Sequence, residues 1–184
     1  MCKNIETLMA EHQVILRNIA VMRKRAIALM KGEDVDMDLF TMHIEFARHY
    51  ADKHHHGKEE QILFEYMTEH LGATAEKLIG FGMLVEHDLG RLYVGALEDA
   101  VARFREDPSD ENRLDIVGYV VAYSDLLRRH IEKEDQVVYN FGIRGLSEEQ
   151  MAEVEVKSQA FDEEHKARKE KYERWIEAQE EAVK

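Results

Sequence analysis

His55 and Glu59 stand four residues apart, and so do His130 and Glu134. Residues at i and i+4 share one face of a helix, so each pair sends an imidazole and a carboxylate in the same direction. That pairing is either a polar contact or two ligands for a metal ion. His12 falls among Leu8, Met9, Ile15 and Leu16, and His87 among Met83, Leu84, Val94 and Leu97, so both interrupt apolar runs of helical spacing. The stripe Phe40, Ile44, Ala47, Ala51, Ile62, Leu63 and Tyr66 passes through His55 and Glu59. The stripe Ile116, Val120, Tyr123, Leu126, Leu127, Val137 and Val138 passes through His130 and Glu134. All six side chains are therefore expected in a core. A single core histidine is more often a packing residue than a ligand. Four on consecutive helical runs, two of them with a carboxylate, point to a metal site. Unpaired buried carboxylates are costly, and no Lys or Arg lies consistently on these stripes to offset them. Two cations bridged by Glu59 and Glu134, their shells completed by neutral imidazoles, remove that cost.

The elements that must position these groups read as five helices. The first covers about Ile5 to Met30 and ends at Gly32. The second runs from near Met37 to about His70, before Gly72. The third starts near Thr74 and stops before the Asp107-Pro108-Ser109-Asp110 turn, and the fourth reaches about Asn140. Gly142 and Gly145 then read as breakers, and Ser147 with Gln150 as a capping box that opens the fifth helix. Short links between the first four predict an up-down-up-down four-helix bundle over residues 1–145, an all-α fold. The additional C-terminal helix, within 146–184, carries the stripe Val154, Phe161, Tyr172, Trp175 and Ile176, which packs either on the bundle or on a second copy.

Composition narrows the partners. With 25 Lys and Arg against 38 Asp and Glu, the formal charge is −13, which disfavours nucleic acid and anionic membrane as partners. No apolar run is long enough for a membrane span, and the first residues read as helix rather than as a leader. The lone Cys2 excludes an intramolecular disulfide and a thiolate cluster and is compatible with a cytoplasmic setting. One Pro suits a helical chain.

The segments LMAEHQVI around His12, HHGKEEQILF from His55, MLVEHDLGR from Met83 and LLRRHIEKEDQVVY from Leu126 together resemble the hemerythrin-like (HHE cation-binding) family. The four pieces occur in family order and span about residues 5–141. The resemblance implies a four-helix bundle holding a non-haem di-iron centre, with His12, His55, Glu59, His87, His130 and Glu134 as ligands. Two positions depart from the oxygen-carrying members. Met83 stands where those carriers have a fifth His, four residues before His87, and a thioether is a poor ligand for ferric iron. The carriers also place the last carboxylate five residues after its His, where this chain has Asp135. Glu134 fits the stripe better and is preferred. Both departures point away from a dedicated oxygen carrier and leave room for dioxygen, peroxide or nitric oxide.

Of the remaining histidines, His56 reads as part of a solvated or interhelical polar face with His49, Asp52, Lys53 and Glu60, the alternative being a role in supporting the metal site or in binding a surface metal. His54 is placed on a flank near Tyr50 and Gln61, His43 as packing and His70 at a helix C-terminus. His165 or Glu164 on the last helix is a candidate to replace the ligand missing at Met83. Tyr66, Tyr119 and Tyr123 read first as core packing. The expected function is binding or sensing of dioxygen or a related small molecule, or iron handling, with no catalytic residue assigned. The alternative is a di-iron redox enzyme that reduces peroxide or nitric oxide or acts in repair of damaged metal centres. Zinc is a possible substitute for iron.

Overall fold

The computed structural model describes residues 3–183, so Cys2 lies outside it. Among the described residues there is no strand. The first rod is α1 (Lys3–Met30). Gly32, at φ 79°, ends it with the left-handed residue that glycine tolerates best. The second rod opens at α2 (Met37–Phe46), where the Asp36 side chain accepts from the Asp38 amide. It continues through two wide π-helical stretches, Ala47–His56 and Glu59–Leu63, into α3 (Phe64–Leu78). Gly72, at φ 68° and ψ −160°, kinks α3 and turns the chain from the second rod into the third. The third rod runs through a π-helical turn at Ile79–Met83 into α4 (Leu84–Glu106). The fourth comprises α5 (Asp110–Lys133), capped by Ser109, a π-helical turn at Glu134–Val138, and α6 (Tyr139–Gly145).

The four rods form a ring in which α1 packs on α5 and on the second rod, while α4 packs on α5 and α2. This is the four-helix bundle expected from the short links. Helix α7 (Glu148–Ala182) opens with the complete Ser147–Gln150 capping box and lies along α1 and the π-helical stretches of the second rod. Its Val154, Tyr172 and Ile176 are buried there. None of the described helices is long and apolar enough to cross a membrane.

Two local expectations change. Gly142 does not break the chain, since it lies inside α6, whereas Gly145 is the last residue of that helix and the chain breaks after it. They are small because α3 comes close: a Cβ on Gly142 would lie 3.1 Å from Met67 Sδ, and one on Gly145 would lie 2.8 Å from Leu71. Three of the four ligand-bearing rods are also not regular α-helices: the second holds His55 and Glu59 in π-helical stretches, the fourth holds Glu134 in one, and the third has a π-helical turn just before His87.

The apolar core falls into two clusters. One holds Ile15, Ile19, Ala51, Val94, Leu127 and Ile176. The other holds Leu8, Ile62, Leu63, Met83, Val138 and Val154. Between them, on every rod, come the six candidate donors: His12 between Leu8 and Ile15, His55 and Glu59 between Ala51 and Ile62, His87 between Met83 and Val94, and His130 and Glu134 between Leu127 and Val138. A polar layer thus divides an otherwise apolar interior, and such a layer persists only if its members satisfy one another or hold something that does.

Candidate metal centre

All six donors are buried, Glu59 and Glu134 completely. The two carboxylates lie at the middle of the layer, with imidazole Nε2 atoms around them. His12 and His130 Nε2 each lie 3.2 Å from Glu134 Oε2. His55 Nε2 lies 3.6 Å from Glu59 Oε2. His87 Nε2 lies 3.7 Å from Glu59 Oε2 and 3.7 Å from Glu134 Oε1. One ligand atom each from His12, His55, Glu59 and Glu134 fall within 4.8 Å of one another, and a second such group is formed by His56, His87 and His130.

The other ring nitrogens are tied down. Nδ1 of His12 donates to Asp135 at 2.8 Å, that of His55 to Glu11 at 3.0 Å, that of His87 to Glu60 at 2.6 Å and that of His130 to Glu86 at 3.0 Å. A carboxylate on Nδ1 fixes the tautomer that leaves Nε2 able to ligate, and orients the ring. Asp135, the rival of Glu134, is thereby placed outside the centre, on the far side of His12.

The electrostatics describe a site built for more positive charge than its own residues carry. Burial and the neighbouring charge of Glu134 push Glu59 up to about 8. Burial works in the same direction on Glu134, but His130, His12 and His87 around it hold it well below the usual carboxylate range. Burial lowers His12, yet Asp135 and Glu134 outweigh it and raise the imidazole to about 9. By the same balance of burial against carboxylates, His130 rises to about 10 and His87 to about 8. His55 goes the other way, to about 3, through burial and the charge of His12. Without metal, protons on imidazoles stand in for cations. Even so, Glu59 Oε2, both Glu134 oxygens, His87 Nε2 and His130 Nε2 are buried without a hydrogen-bond partner. Five orphaned donors converging in one layer fit a metal pair.

Tyr139 is a member of this site that its sequence position did not reveal. Its hydroxyl donates to Glu59 Oε1 at 2.6 Å and lies 3.3 Å from His12 Nε2, with the ring stacked on His12. The signal was weak, because Tyr139 continues an apolar stripe that any aromatic would fill. Tyr66 instead donates to Glu153 on α7, and Tyr123 is buried in the core.

His56 is buried, not part of a solvated face, and stacks on His87 with ring centroids 3.8 Å apart. His165 does not replace a ligand: its Nδ1 donates to the Phe161 carbonyl and its ring rests on Phe161, while Glu164 is exposed. His54 is buried one step outside the centre, with Nε2 on Glu11 Oε1 while His55 takes Oε2. His43 donates to Asn18 and packs edge-on to Trp175. A further acidic group, Glu11, His54 and Asp162, already holds its own cations, since Lys58 reaches Glu11 at 2.7 Å and Asp162 at 2.5 Å and Lys169 reaches Glu11 at 2.9 Å.

A cavity of about 320 Å³ runs in from the surface to His56 and His87, flanked by Arg48, Lys53, Arg91 and Tyr123. Arg91 bridges Asp52 and Glu60, the second of which holds His87.

No curated protein matches the chain closely enough to add to this. The family model described as the Hemerythrin HHE cation binding domain matches residues 3–141, the stretch that carries every donor of the polar layer. With that match covering three quarters of the sequence and the imidazoles and carboxylates converging as described, the chain belongs to the hemerythrin HHE cation-binding family.

Proposed function

We propose that the protein is a non-haem di-iron protein that binds or senses dioxygen or a related small molecule, or handles iron, through a centre bridged by Glu59 and Glu134. The observation that carries this reading is the pair of buried carboxylates facing imidazoles on all four rods, each of the four with its Nδ1 committed to an outer carboxylate. Hard carboxylate oxygens that bridge, with imidazoles around them, suit iron better than the closed four-coordinate sites typical of structural zinc. When bound, such a pair of ions supplies reversible redox change and a place for a small exogenous ligand. The chain's own part is to hold the imidazoles in one tautomer, to keep water out with the two apolar clusters, and to offer the Tyr139 hydroxyl beside Glu59 as a proton donor.

Tyr139 also supports a second reading, reduction of peroxide or nitric oxide, since a hydroxyl held 2.6 Å from a buried carboxylate can pass a proton to a reacting oxygen. The two readings separate in one experiment. Protein reduced without air is exposed to dioxygen and followed by visible absorption, and in parallel assayed for steady-state peroxide consumption. A reversible spectral change without turnover supports binding, and sustained turnover supports the enzyme. Protein grown with ample iron that retains well under one metal ion per chain sinks both.

A further inference from the structure

We infer that α7 is a working part of the metal centre: Lys169 is a positioning residue that acts on the ligand His55 through Glu11, and Asp162 is its electrostatic counterweight. The inference rests on the di-metal reading above, with His55 as a ligand.

Each of the four imidazoles leans on an outer carboxylate, and the charge behind that carboxylate decides how strongly it draws on the ring. Glu60 is paired with Arg91 and Glu86 with Lys133, both cations from rods of the bundle. Glu11, the carboxylate behind His55, takes its cations from two sources. Lys58 of the second rod donates to Oε1 at 2.7 Å, and Lys169 of α7 donates to the same oxygen at 2.9 Å. His54 Nε2 shares that oxygen at 3.0 Å, which leaves Oε2 to accept from His55 Nδ1 at 3.0 Å. Glu11 is thus anchored at one oxygen and presented to the ligand by the other.

Helix α7 also supplies the opposite charge. Lys58 is 1% exposed, and an ammonium so enclosed is costly unless carboxylates surround it. Its second partner is Asp162 of α7, at 2.5 Å, which also lies 3.6 Å from His54 Nε2. The cluster therefore balances two ammonium groups against two carboxylates, with one of each from the bundle and one of each from α7. The two α7 groups are not core filler. Val154, Tyr172 and Ile176 anchor the helix, whereas Asp162 and Lys169 line a polar groove between α1 and α7. Helix α7 lies outside residues 3–141, the stretch that the family model matches, so the six ligands alone do not reveal this dependence.

The arrangement has a definite sign. A carboxylate on Nδ1 raises the basicity of the ligating nitrogen, and an ammonium on that carboxylate draws the charge away again. Without Lys169, Glu11 gives more of its charge to His55, and ferric iron is favoured. Without Asp162, Lys58 turns wholly to Glu11, His55 becomes less basic, and ferrous iron is favoured. The direct field of each lost charge acts in the same sense. The two substitutions therefore shift the iron in opposite directions, whereas mere loosening of α7 would shift it one way in both.

The test uses wild type, Lys169→Met, Lys169→Arg, Asp162→Asn and Gln179→Ala, all full-length and loaded with ferrous iron without air. Each is titrated with redox mediators, and the ferric fraction is read by visible absorption. The ferric-to-ferrous ratio at fixed potential is expected to rise about tenfold in Lys169→Met, about 59 mV downward for one electron. It is expected to fall by a similar factor in Asp162→Asn and to return near wild type in Lys169→Arg. Gln179→Ala removes a neutral tie between α7 and Arg25 of α1, 2.5 Å long, and is expected to leave the ratio unchanged. Unchanged helical circular dichroism separates a charge effect from misfolding, and Lys169→Gln provides the test if Lys169→Met does not fold. If wild type loads two irons while the Lys169 and Asp162 variants leave the ratio unchanged or shift it in the same direction, the inference fails and the di-iron reading survives. If wild type itself keeps less than one iron per chain, the di-iron reading fails first.

Discussion

Glu134 and Asp135 are adjacent in sequence and perform different tasks. Glu134 is enclosed among three imidazoles, while Asp135 orients His12 from outside at 2.8 Å. Asp135→Ala is therefore expected to weaken metal binding by about 10–100-fold while leaving the number of sites unchanged. Glu134→Ala is expected to abolish the pair. Competition titration against a chelator of known affinity distinguishes these outcomes, and equal losses would contradict the assignment. The raised imidazoles give a second prediction. His12, at about 9, and His130, at about 10, are protonated at neutral pH in the metal-free protein, as is Glu59 at about 8. A metal must displace those protons, so its affinity rises with pH until about 10 and binding releases protons. Calorimetry in buffers of different ionisation enthalpy measures that release. At this scale the burial of the six side chains was legible, because a polar residue that interrupts an apolar stripe of helical spacing is carried into the core with it. The sequence failed at His56 and Tyr139, one hidden by a departure from α-helical geometry and the other by looking like ordinary core.

Helices were the most legible elements. Gly32 and the Ser147–Gln150 box mark ends that the structure keeps, each for a local backbone reason. The π-helical turns were not legible, since no residue type announces an i to i+5 bond and only the packing of the finished layer selects it. Gly142 misled because glycine marks a turn in one context and a close approach in another, and only the position of Met67 decides which. Helix α7 is the element whose partner the sequence left open. In the structure, Ile176 is completely buried in the same cluster as Ile15 and Ile19 on α1. Truncating it to Ala is expected to cost about 2–5 kcal/mol, measured as the shift in denaturant midpoint of the metal-free protein. Ser147→Ala, which removes the cap, is expected to cost about 1 kcal/mol.

Across the whole molecule, Glu11 joins α7 to the centre. One of its oxygens takes His54, Lys58 and Lys169 of α7, and the other takes His55 Nδ1. Burial would raise this carboxyl, but His54, His55 and Lys58 hold it well below 4.5. A group whose folded pKa is depressed contributes stability above its unfolded value and loses it as pH falls through the folded one. The metal-free protein is therefore expected to lose stability below about pH 4.5, and Glu11→Gln to flatten that part of the curve in denaturant titrations. The four-rod architecture was readable from link lengths and stripes. The ring of outer carboxylates was not, because Glu11, Glu60, Glu86 and Asp135 look like solvated charge until the rods close around the imidazoles.

The π-helical turns have one more consequence, and it lies in time. A wide turn has poorer packing along its axis than an α-helical one, so the amides of Ala47–His56, Glu59–Leu63 and Glu134–Val138 are expected to be less protected than those of α5. Ligands carried on such turns would yield to let an ion in, and an ion held by two rods would pin both. Hydrogen–deuterium exchange should then show protection rising in these stretches on metal loading and staying nearly constant at mid-α5. Residues that never touch the ion would thereby record how long it stays.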